Sequence, residues 1–295
     1  MINKTVENHS IPIRLDRYLR IMNPTLTQGI IERYLRKGAI KVNDAKSKSN
    51  VRVVNGDIIS FPENIILSAE DMPKVSKGPN AELLANKLLF EYLLYDHPAF
   101  YAFYKPSGLA SQGGSRIGTS LDDALQTLGL RLVHRLDKDT SGIMIAAKTR
   151  DAAIILTKAF SEQKIYKTYF ACVKNLPQKP RGKITSYLVR QNNFTGASYD
   201  AEVEGSKLAI TEYEVVESSK EATLIKFTPQ TGRMHQLRLH AKDLGCPIIG
   251  DKKYGGVEEK YLMLHAYKMV LDDSILGKEI IITAPFPDYF VINKI

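Results

Sequence analysis

The residues best suited to chemistry in this 295-residue chain lie close together in residues 131–142, which read Arg-Leu-Val-His-Arg-Leu-Asp-Lys-Asp-Thr-Ser-Gly. Residues 143–147, which follow the polar part of this run, have the composition and length of a buried strand. We therefore expect a polar turn carried on buried strands, a common position for catalytic groups because the scaffold is rigid and the turn is accessible. Asp137 lies at its centre and is the candidate catalytic carboxylate. The alternative is an ordinary charged surface turn.

The elements expected to position this turn are mainly strands. Short runs rich in aromatic and β-branched residues predict strands, and residues 121–128 are expected to form a helix. The further predicted strands are residues 93–95, 100–104, 166–173, 201–216, 223–228, 268–271 and 279–284. Because strands outnumber helices, we expect an α+β fold in which a mixed, mainly antiparallel sheet carries helices on its outer faces.

The first fifth of the chain is a basic segment with its own pattern of elements. Residues 1–61 hold eleven Lys and Arg residues against five Asp and Glu residues. Residues 14–20 have the apolar spacing of an amphipathic helix, and a second helix is expected between Thr27, its N-cap, and Gly38. Short strands are predicted at residues 39–43, 51–54 and 58–61.

Composition narrows the class of protein. Hydrophobic residues make up 44% of the chain and charged residues 25%, as in soluble globular proteins. No apolar stretch approaches the ~18 residues of a membrane span, and the N-terminus lacks the apolar core of a signal peptide, so a cytoplasmic location is expected. Cys172 and Cys246 form no Cys-x-x-Cys pair, and we expect neither a metal nor another cofactor. The net charge of +9 favours an anionic partner, with nucleic acid first.

The basic segment resembles the S4 RNA-binding domain. The match rests on Arg-Leu-Asp at residues 14–16, on Gly-Ala-Ile-Lys-Val-Asn at residues 38–43 and on Gly-Asp at residues 56–57. Basic side chains on a rigid helical face neutralise phosphates and give affinity with little sequence discrimination. The alternative is that these charges only solvate a small domain. The candidate RNA-binding residues here are Arg14, Arg17, Arg33, Arg36 and Lys37.

Nine consecutive residues, from His134 to Gly142, resemble the signature of the RluA-type pseudouridine synthases. Further motifs occur in the order typical of that family. They are Lys-Pro-Ser-Gly-Leu at 105–109, Lys-Thr-Tyr at 167–169, Gly-Arg-Met-His-Gln-Leu-Arg-Leu-His at 232–240, Gly-Asp-Lys-Lys-Tyr-Gly at 250–255 and Leu-Met-Leu-His-Ala at 262–266. Together with the S4-like segment, the chain is similar to the RluC and RluD subgroup, and Ser-Gln-Gly-Gly at 111–114 is nearer to the RluC form.

This resemblance implies the pseudouridine synthase fold and its reaction. The N1–C1′ bond of a uridine in RNA is broken and the base is rejoined through C5, a net isomerisation that needs no redox cofactor. The uridine must be flipped out and stacked in a pocket, and the resemblance assigns Tyr169 to stacking, Asp137 to nucleophilic attack and Leu264 to the pocket wall. A carboxylate in a dry pocket stays ionised at neutral pH only beside a cation, and the resemblance places Arg238 there.

Other polar residues of these motifs are expected to support the reaction. Arg135 and Arg233 are expected to contact RNA. Asp139 is expected to bond backbone amides of the turn together with Thr140. The single His residues at 134, 235, 240 and 265 are expected to be structural donors rather than metal ligands.

Three segments are predicted along the chain: an S4-like RNA-binding domain at residues 1–61, a linker at residues 62–88 and a catalytic domain at residues 89–295. The predicted function is isomerisation of specific uridines in large-subunit (23S) ribosomal RNA by a monomer. One alternative is a non-catalytic RNA-binding ribosome assembly factor with the same fold. Another is a hydrolytic nucleosidase, which would release free uracil.

Overall fold

The structure is a computed structural model that describes residues 1–7, 12–23, 26, 28–62, 79–113, 118–191, 194–198, 203–220 and 222–290. The chain divides into two compact units, Met1–Ser76 and Lys77–Ile295, called the first and second unit below. Each unit buries its own set of apolar side chains. Two cores are expected for a chain that exceeds the usual size of one domain.

The first unit combines two helices with short strands. Its elements are β1 (Ile2–Thr5), β2 (Ile13–Arg14), α1 (Leu15–Met22), α2 (Gln28–Arg36), β3 (Lys41–Val42), β4 (Ala45–Lys46), β5 (Arg52–Val53) and β6 (Ile58–Phe61). One sheet has the order β1-β6-β3-β4, and β2 pairs with β5. Leu15 and Leu19 of α1 are buried with Ile31 and Leu35 of α2, because i, i+4 spacing places each pair on one helical face.

The two helices and the three short strands predicted for this segment are present, and three further strands, β1, β2 and β4, were not predicted. Strand β1 pairs antiparallel with β6, with Ile2 opposite Phe61. Helix α2 ends at Arg36, and Gly38 has the left-handed φ of +67° that is typical after a helix. Thr27, the predicted N-cap, lies outside the described residues.

The second unit is mainly β. Its elements are α3 (Pro79–Phe90), β7 (Leu93–His97), β8 (Phe100–Lys105), α4 (Leu121–Thr127), β9 (Arg131–Leu132), β10 (Ser141–Ala147), α5 (Arg150–Ser161), β11 (Ile165–Val173), β12 (Arg181–Gln191), β13 (Phe194–Ser198), β14 (Lys207–Ser218), β15 (Thr223–Pro229), α6 (Gln236–Asp243), β16 (Leu264–Leu271), α7 (Asp273–Leu276) and β17 (Ile280–Thr283).

These strands form an eleven-stranded sheet with the order β13-β12-β14-β15-β11-β16-β10-β8-β7, with β17 beside β16 and β9 beside β10. Among the described strand pairs, only β10 and β16 run parallel. Successive side chains of β10 point to opposite faces: Ile143 and Ile145 pack in the cluster that includes α5, whereas Met144 packs in the cluster that includes α3 and α4. Helices therefore cover both faces of the sheet at β10, and the predicted α+β fold is confirmed.

The start of the second unit differs from the predicted linker. Helix α3 begins at Pro79, inside the predicted linker of residues 62–88. Its residues Ala85 and Leu88 are buried against Phe103 and Leu121. Residues 79–88 therefore belong to the second unit, because the apolar face of α3 contributes to its core.

Candidate active site

The predicted polar turn lies between two paired strands. Residues 133–140, called the Asp137 turn below, connect β9 to β10, whose pairing places Leu132 opposite Ala146. Within the turn, the amide of Thr140 donates to the carbonyl of Asp137 at 3.2 Å. Every residue of β10 is buried, so the turn rises from the centre of the sheet.

Lys105, the last residue of β8, holds the Asp137 turn from inside the protein. Its fully buried ammonium group donates to the carbonyls of Pro106, Leu109 and Lys138 at 3.0, 2.8 and 2.9 Å. Burial lowers the pKa of Lys105 to about 7, and the carboxylates of the turn limit the fall. One side chain thus ties the turn to the bend after β8.

Two serines after β8 add to this bracing. The hydroxyl of Ser107 donates to the carbonyl of Asp139 at 2.7 Å. The hydroxyl of Ser111 donates to the carbonyl of Leu136 at 2.6 Å and accepts from its amide at 3.1 Å. Residues 105–111 therefore shape the turn, whereas the side chain of Asp139, expected to do so, is exposed.

A cavity of about 740 Å³ lies over the Asp137 turn. This volume is within the range of small-molecule sites, roughly 300–1,000 Å³, and is large enough for a nucleotide. All six residues predicted for the site in the second unit line it, namely Asp137, Tyr169, Arg238, Leu264, Arg135 and Arg233.

Asp137 lies in this cavity between two side chains of the α6 region. Its Oδ2 atom is 3.8 Å from Nε2 of His235 and 3.9 Å from Nη1 of Arg238. The side chain of Asp137 is 19% exposed, and that of Arg238 is 9% exposed. The carboxylate therefore has nitrogen neighbours within ion-pair distance but is not tied to either by a short hydrogen bond.

The shortest ion pair of Arg238 is with Asp251, not with Asp137. Its Nε and Nη2 atoms donate to the two carboxylate oxygens of Asp251 at 2.8 and 2.7 Å. The amides of Lys253 and Tyr254 also donate to Asp251, each at 3.1 Å. The expected pairing of Arg238 with Asp137 is thus present, but at a longer distance than its pairing with Asp251. The two carboxylates share one guanidinium.

The pKa values of the neighbours follow from this environment. Burial by itself would lower the pKa of Arg238, but its hydrogen bonds to Asp251 and the two nearby carboxylates raise it above its usual value. Burial lowers the pKa of His235, although the charge of Asp137 opposes the shift. Arg238 is therefore cationic and His235 neutral at pH 7.

Tyr169 and Leu264 come from the two adjacent strands β11 and β16. The pairing of these strands shifts register between Thr168 and Tyr169, an irregularity that redirects side chains and is frequent near active sites. Burial, and then the charge of Asp137, raises the pKa of Tyr169, so its hydroxyl stays protonated. Leu264, the first residue of β16, is only 3% exposed and lines the cavity as expected.

The arginines predicted to contact RNA differ in their availability. Arg135 and Arg233 are exposed where they line the cavity, and Nε of Arg233 donates to the carbonyl of Leu208 at 2.9 Å. In the first unit, Arg14 pairs with Asp16 at 2.6 Å. The remaining candidates there are exposed, namely Arg17, Arg33, Arg36 and Lys37.

The described part of the chain contains neither a metal-binding cluster nor a membrane-spanning helix. No group of three His, Cys, Asp or Glu residues there could hold a metal ion. No helix among the same residues has the length and apolar character needed to cross a membrane.

Comparison with known proteins gives the family. A model of the RNA pseudouridylate synthase family matches residues 99–243. A protein of Rickettsia felis named ribosomal large subunit pseudouridine synthase C is 43% identical over 293 residues, covering 96% of each chain. The chain belongs to the RNA pseudouridylate synthase family. It is therefore an isomerase that converts uridine in RNA to pseudouridine, which favours the enzyme over the non-catalytic alternative.

Further relatives of this synthase agree. A protein of Pasteurella multocida that has the same name is 32% identical and covers 95% of this chain and 89% of its own. The solved structure of human RNA pseudouridylate synthase domain containing 4 has 25% sequence identity and a TM-score of 0.63, and covers 72% of this synthase and 94% of that chain.

The structure adds residues to the site that the sequence did not assign to it. His235, expected to be a structural donor, faces Asp137. Tyr254 contacts His235, and Asp251 contacts Arg238. Lys167 lines the cavity, and burial lowers its pKa. A signal existed for His235, because it lies in the motif at residues 232–240 that also contains Arg238. Asp251 and Tyr254 belong to the motif at residues 250–255, but only folding brings residues 238 and 251 together, so the pairing of Asp251 with Arg238 could not be predicted.

Proposed function

We propose that this synthase modifies uridines in large-subunit ribosomal RNA, with Asp137 as the nucleophile. The observation that carries the proposal is the Asp137 carboxylate in a nucleotide-sized cavity, near one cation and one neutral imidazole. The substrate follows from the relatives, which are named ribosomal large subunit pseudouridine synthases.

The proposed reaction uses the residues of the cavity in sequence. Asp137 attacks or stabilises C1′ of the flipped uridine as its N1–C1′ bond breaks and the uracil leaves as an anion. The base rotates while held in the cavity, and its C5 atom bonds to C1′. The hydrogen on C5 then leaves as a proton and N1 gains one from solvent, so that product and substrate are isomers.

Tyr169 and Leu264 are proposed to hold the base during this rotation. Stacking of a base on an aromatic ring is worth ~1–3 kcal/mol and does not depend on which edge of the base is presented. That tolerance suits a base that must turn over. The aliphatic side chain of Leu264 provides a wall without a fixed hydrogen bond, so the uracil can slide past it.

We also propose that the first unit is an S4-like RNA-binding domain and that Arg135 and Arg233 contact RNA beside the cavity. Exposed Arg33 and Arg36 lie three residues apart on α2, hence on one face. Replacing both with Ala is expected to weaken RNA binding and to flatten its salt dependence by about two counterions. An unchanged slope in a filter-binding titration would contradict this role.

A ribosomal RNA substrate is in keeping with a cytoplasmic monomer that needs no cofactor. Cell fractionation, size-exclusion chromatography, and activity of the purified protein after dialysis against a chelator test these three properties.

The decisive experiment uses ribosomal RNA labelled with tritium at C5 of uridine, because that hydrogen is released only when C5 forms the new bond. Wild-type protein is expected to release tritium. Asp137→Asn, which keeps the shape but removes the charge, is expected to lose at least about 1,000-fold in kcat while still binding RNA.

Asp139→Asn is the matched comparison, since it removes a carboxylate of the same turn whose side chain is exposed, and it is expected to retain most turnover. Release of free uracil by the wild type would indicate the nucleosidase instead. Absence of tritium release by the wild type, or full activity of Asp137→Asn, would overturn the proposal.

A further inference from the structure

The loop of residues 250–256, called the 250s loop below, is tightly closed on itself. The amide of Gly256 donates to the carbonyl of Asp251 at 2.9 Å, and that of Gly250 to the carbonyl of Val257 at 2.8 Å. A Cβ atom on Gly250 would lie 2.0 Å from the carbonyl oxygen of Tyr261. The backbone at Gly250 thus packs directly against that of Tyr261, and the two hydrogen bonds fix the path of the loop that carries Asp251 and Tyr254.

The first of these side chains, Asp251, fixes Arg238. Its carboxylate is 1% exposed and engages the guanidinium through two parallel hydrogen bonds, at 2.8 and 2.7 Å. This fork arrangement sets both the position and the plane of the guanidinium. Nη1 then faces Asp137 at 3.9 Å, so that the cation interacts electrostatically with Asp137 without a hydrogen bond to its oxygens.

The second side chain, Tyr254, fixes His235. Its hydroxyl is 2.7 Å from Nδ1 of the imidazole, and Nε2 faces the acceptor-only carboxylate of Asp137. A hydrogen on Nε2 suits a neighbouring carboxylate better than a lone pair does, and in that tautomer the hydroxyl of Tyr254 donates to Nδ1. His235 has a left-handed φ of +57°, a conformation that a non-glycine residue keeps only where its surroundings enforce it.

We propose that Asp251 and Tyr254 are positioning residues of the pseudouridine synthase reaction, acting on Asp137 through Arg238 and His235 respectively. This inference rests on the proposed role of Asp137. By occupying the fork of Arg238, Asp251 prevents the guanidinium from forming a bidentate pair with Asp137, which would hold the nucleophile away from C1′. Asp137 and Asp251 carry two negative charges against the one positive charge of Arg238. The remaining negative charge also stabilises the positive charge that develops on the sugar.

Other titratable groups near Asp137 and His235 lie on separate elements. Lys105 lies at the end of β8 and Tyr169 on β11, and both interact electrostatically with Asp137. Lys253, in the 250s loop, lowers the pKa of His235, as Arg238 does. Lys105 and Tyr169 stand on other elements than Asp251 and Tyr254, and Lys253 keeps its charge in both variants, so a loss of kcat in either variant is assigned to Arg238 or His235.

The test compares Asp251→Asn and Tyr254→Phe with the wild-type full chain, using tritium release from C5-labelled ribosomal RNA, RNA affinity and urea unfolding. Asp251→Asn is expected to lower kcat about 100-fold, the effect of a misplaced catalytic group, with RNA affinity within about twofold. Because the change acts on turnover and not on binding, kcat/KM is expected to fall by about the same factor as kcat. Tyr254→Phe is expected to lower kcat about tenfold.

The controls are Asp272→Asn, which removes a helix-capping carboxylate, and Tyr213→Phe, which removes a hydroxyl from another buried tyrosine. Both are expected to leave kcat unchanged. Should Asp251→Asn not fold, Asp251→Glu decides: it keeps the negative charge but displaces the carboxylate that holds Arg238, so it is expected to leave RNA affinity unchanged and still lower kcat. Folded variants with kcat within about twofold of wild type, or losses confined to stability, overturn the inference. A wild type that releases no tritium contradicts the proposed function instead.

Discussion

At the scale of single residues, the Asp137 carboxylate lies on a turn without a short hydrogen bond to its cationic neighbour, whereas Tyr169 lies on a strand inside the sheet. Nε2 of His235 and Nη1 of Arg238 lie 3.8 and 3.9 Å from Oδ2 of Asp137, too far for a hydrogen bond that would occupy this oxygen. Tyr169 lies instead on a strand paired on both sides, opposite Phe227 of β15 and Ala266 of β16. A nucleophile must approach the sugar, whereas a stacking surface must stay in place, and the backbone of the site provides this difference.

The ring of Tyr169 can be tested apart from its hydroxyl. Tyr169→Leu is expected to lower kcat/KM by about 10–100-fold, because stacking worth ~1–3 kcal/mol is lost, whereas Tyr169→Phe keeps the ring and loses less. Tyr166→Leu is the control, since Tyr166 is 56% exposed on the same strand. Steady-state kinetics of tritium release provide the measurement, and equal losses for the Leu and Phe variants of Tyr169 would exclude stacking as its main role.

At the scale of elements, the parallel pairing of β10 with β16 explains why the signature run ends in glycine. Gly142 has a φ of +117°, and a Cβ atom there would lie 2.3 Å from the carbonyl oxygen of Ala266. The close approach of these strands brings the Asp137 turn and Leu264 to the same cavity. A side chain at position 142 would separate them.

Gly142→Ala is therefore expected to destabilise the protein by about 1–3 kcal/mol through overpacking, in addition to the strain of its φ, and to lower turnover. Gly129→Ala shares a positive φ, +71°, but meets open space, so it should cost only the conformational strain of about 1–2 kcal/mol and leave turnover intact. Urea unfolding and tritium release distinguish the two. Equal effects on turnover would show that the strand contact is unimportant.

At the scale of the whole molecule, three histidines make the stability of the second unit depend on pH: His240 and His265 are buried, and His134 is half-buried. His240 lies between the hydroxyls of Thr211 and Ser186 at 2.9 and 3.0 Å, and His265 is 2.9 Å from the hydroxyl of Ser141. Nε2 of His134 accepts from a backbone amide at 2.8 Å, so that nitrogen carries no proton. Burial lowers the pKa of His134 to about 3 and the pKa values of His240 and His265 to about 4.

These shifts predict the sign of the pH dependence of stability. Each histidine has a lower pKa in the folded chain than its usual value of 6.5, so the unfolded chain binds more protons below that pH and stability falls as pH decreases. Each group contributes up to about 1.4 kcal/mol per pH unit between pH 6.5 and its folded pKa.

Urea unfolding at pH 7, 6 and 5, with proton uptake measured at pH 5, provides the test. Uptake of about three protons by these histidines is expected on unfolding. His240→Gln should reduce this uptake by about one proton and flatten the dependence accordingly. A stability that does not change between pH 7 and pH 5 would contradict the burial of neutral histidines.

Much of the fold and part of the site could be predicted from local patterns. The helices of the first unit follow from apolar spacing, and the continuous apolar run of residues 143–147 predicts a strand buried on both faces, which β10 is. Motif positions predicted Asp137, Tyr169, Arg238 and Leu264, which line one cavity. These features depend on residues that are near in sequence or on motifs that the family shares.

The contacts that hold the site depend on residues far apart in sequence. Lys105 reaches the carbonyl of Lys138, and Arg238 binds Asp251 rather than being reserved for Asp137. Sequence alone could not decide between these partners, because a buried cation is stabilised by whichever acceptors folding brings within about 3 Å. The sequence thus determined the types of groups that the reaction needs, and the tertiary structure decided which of them pair and which remain free to react.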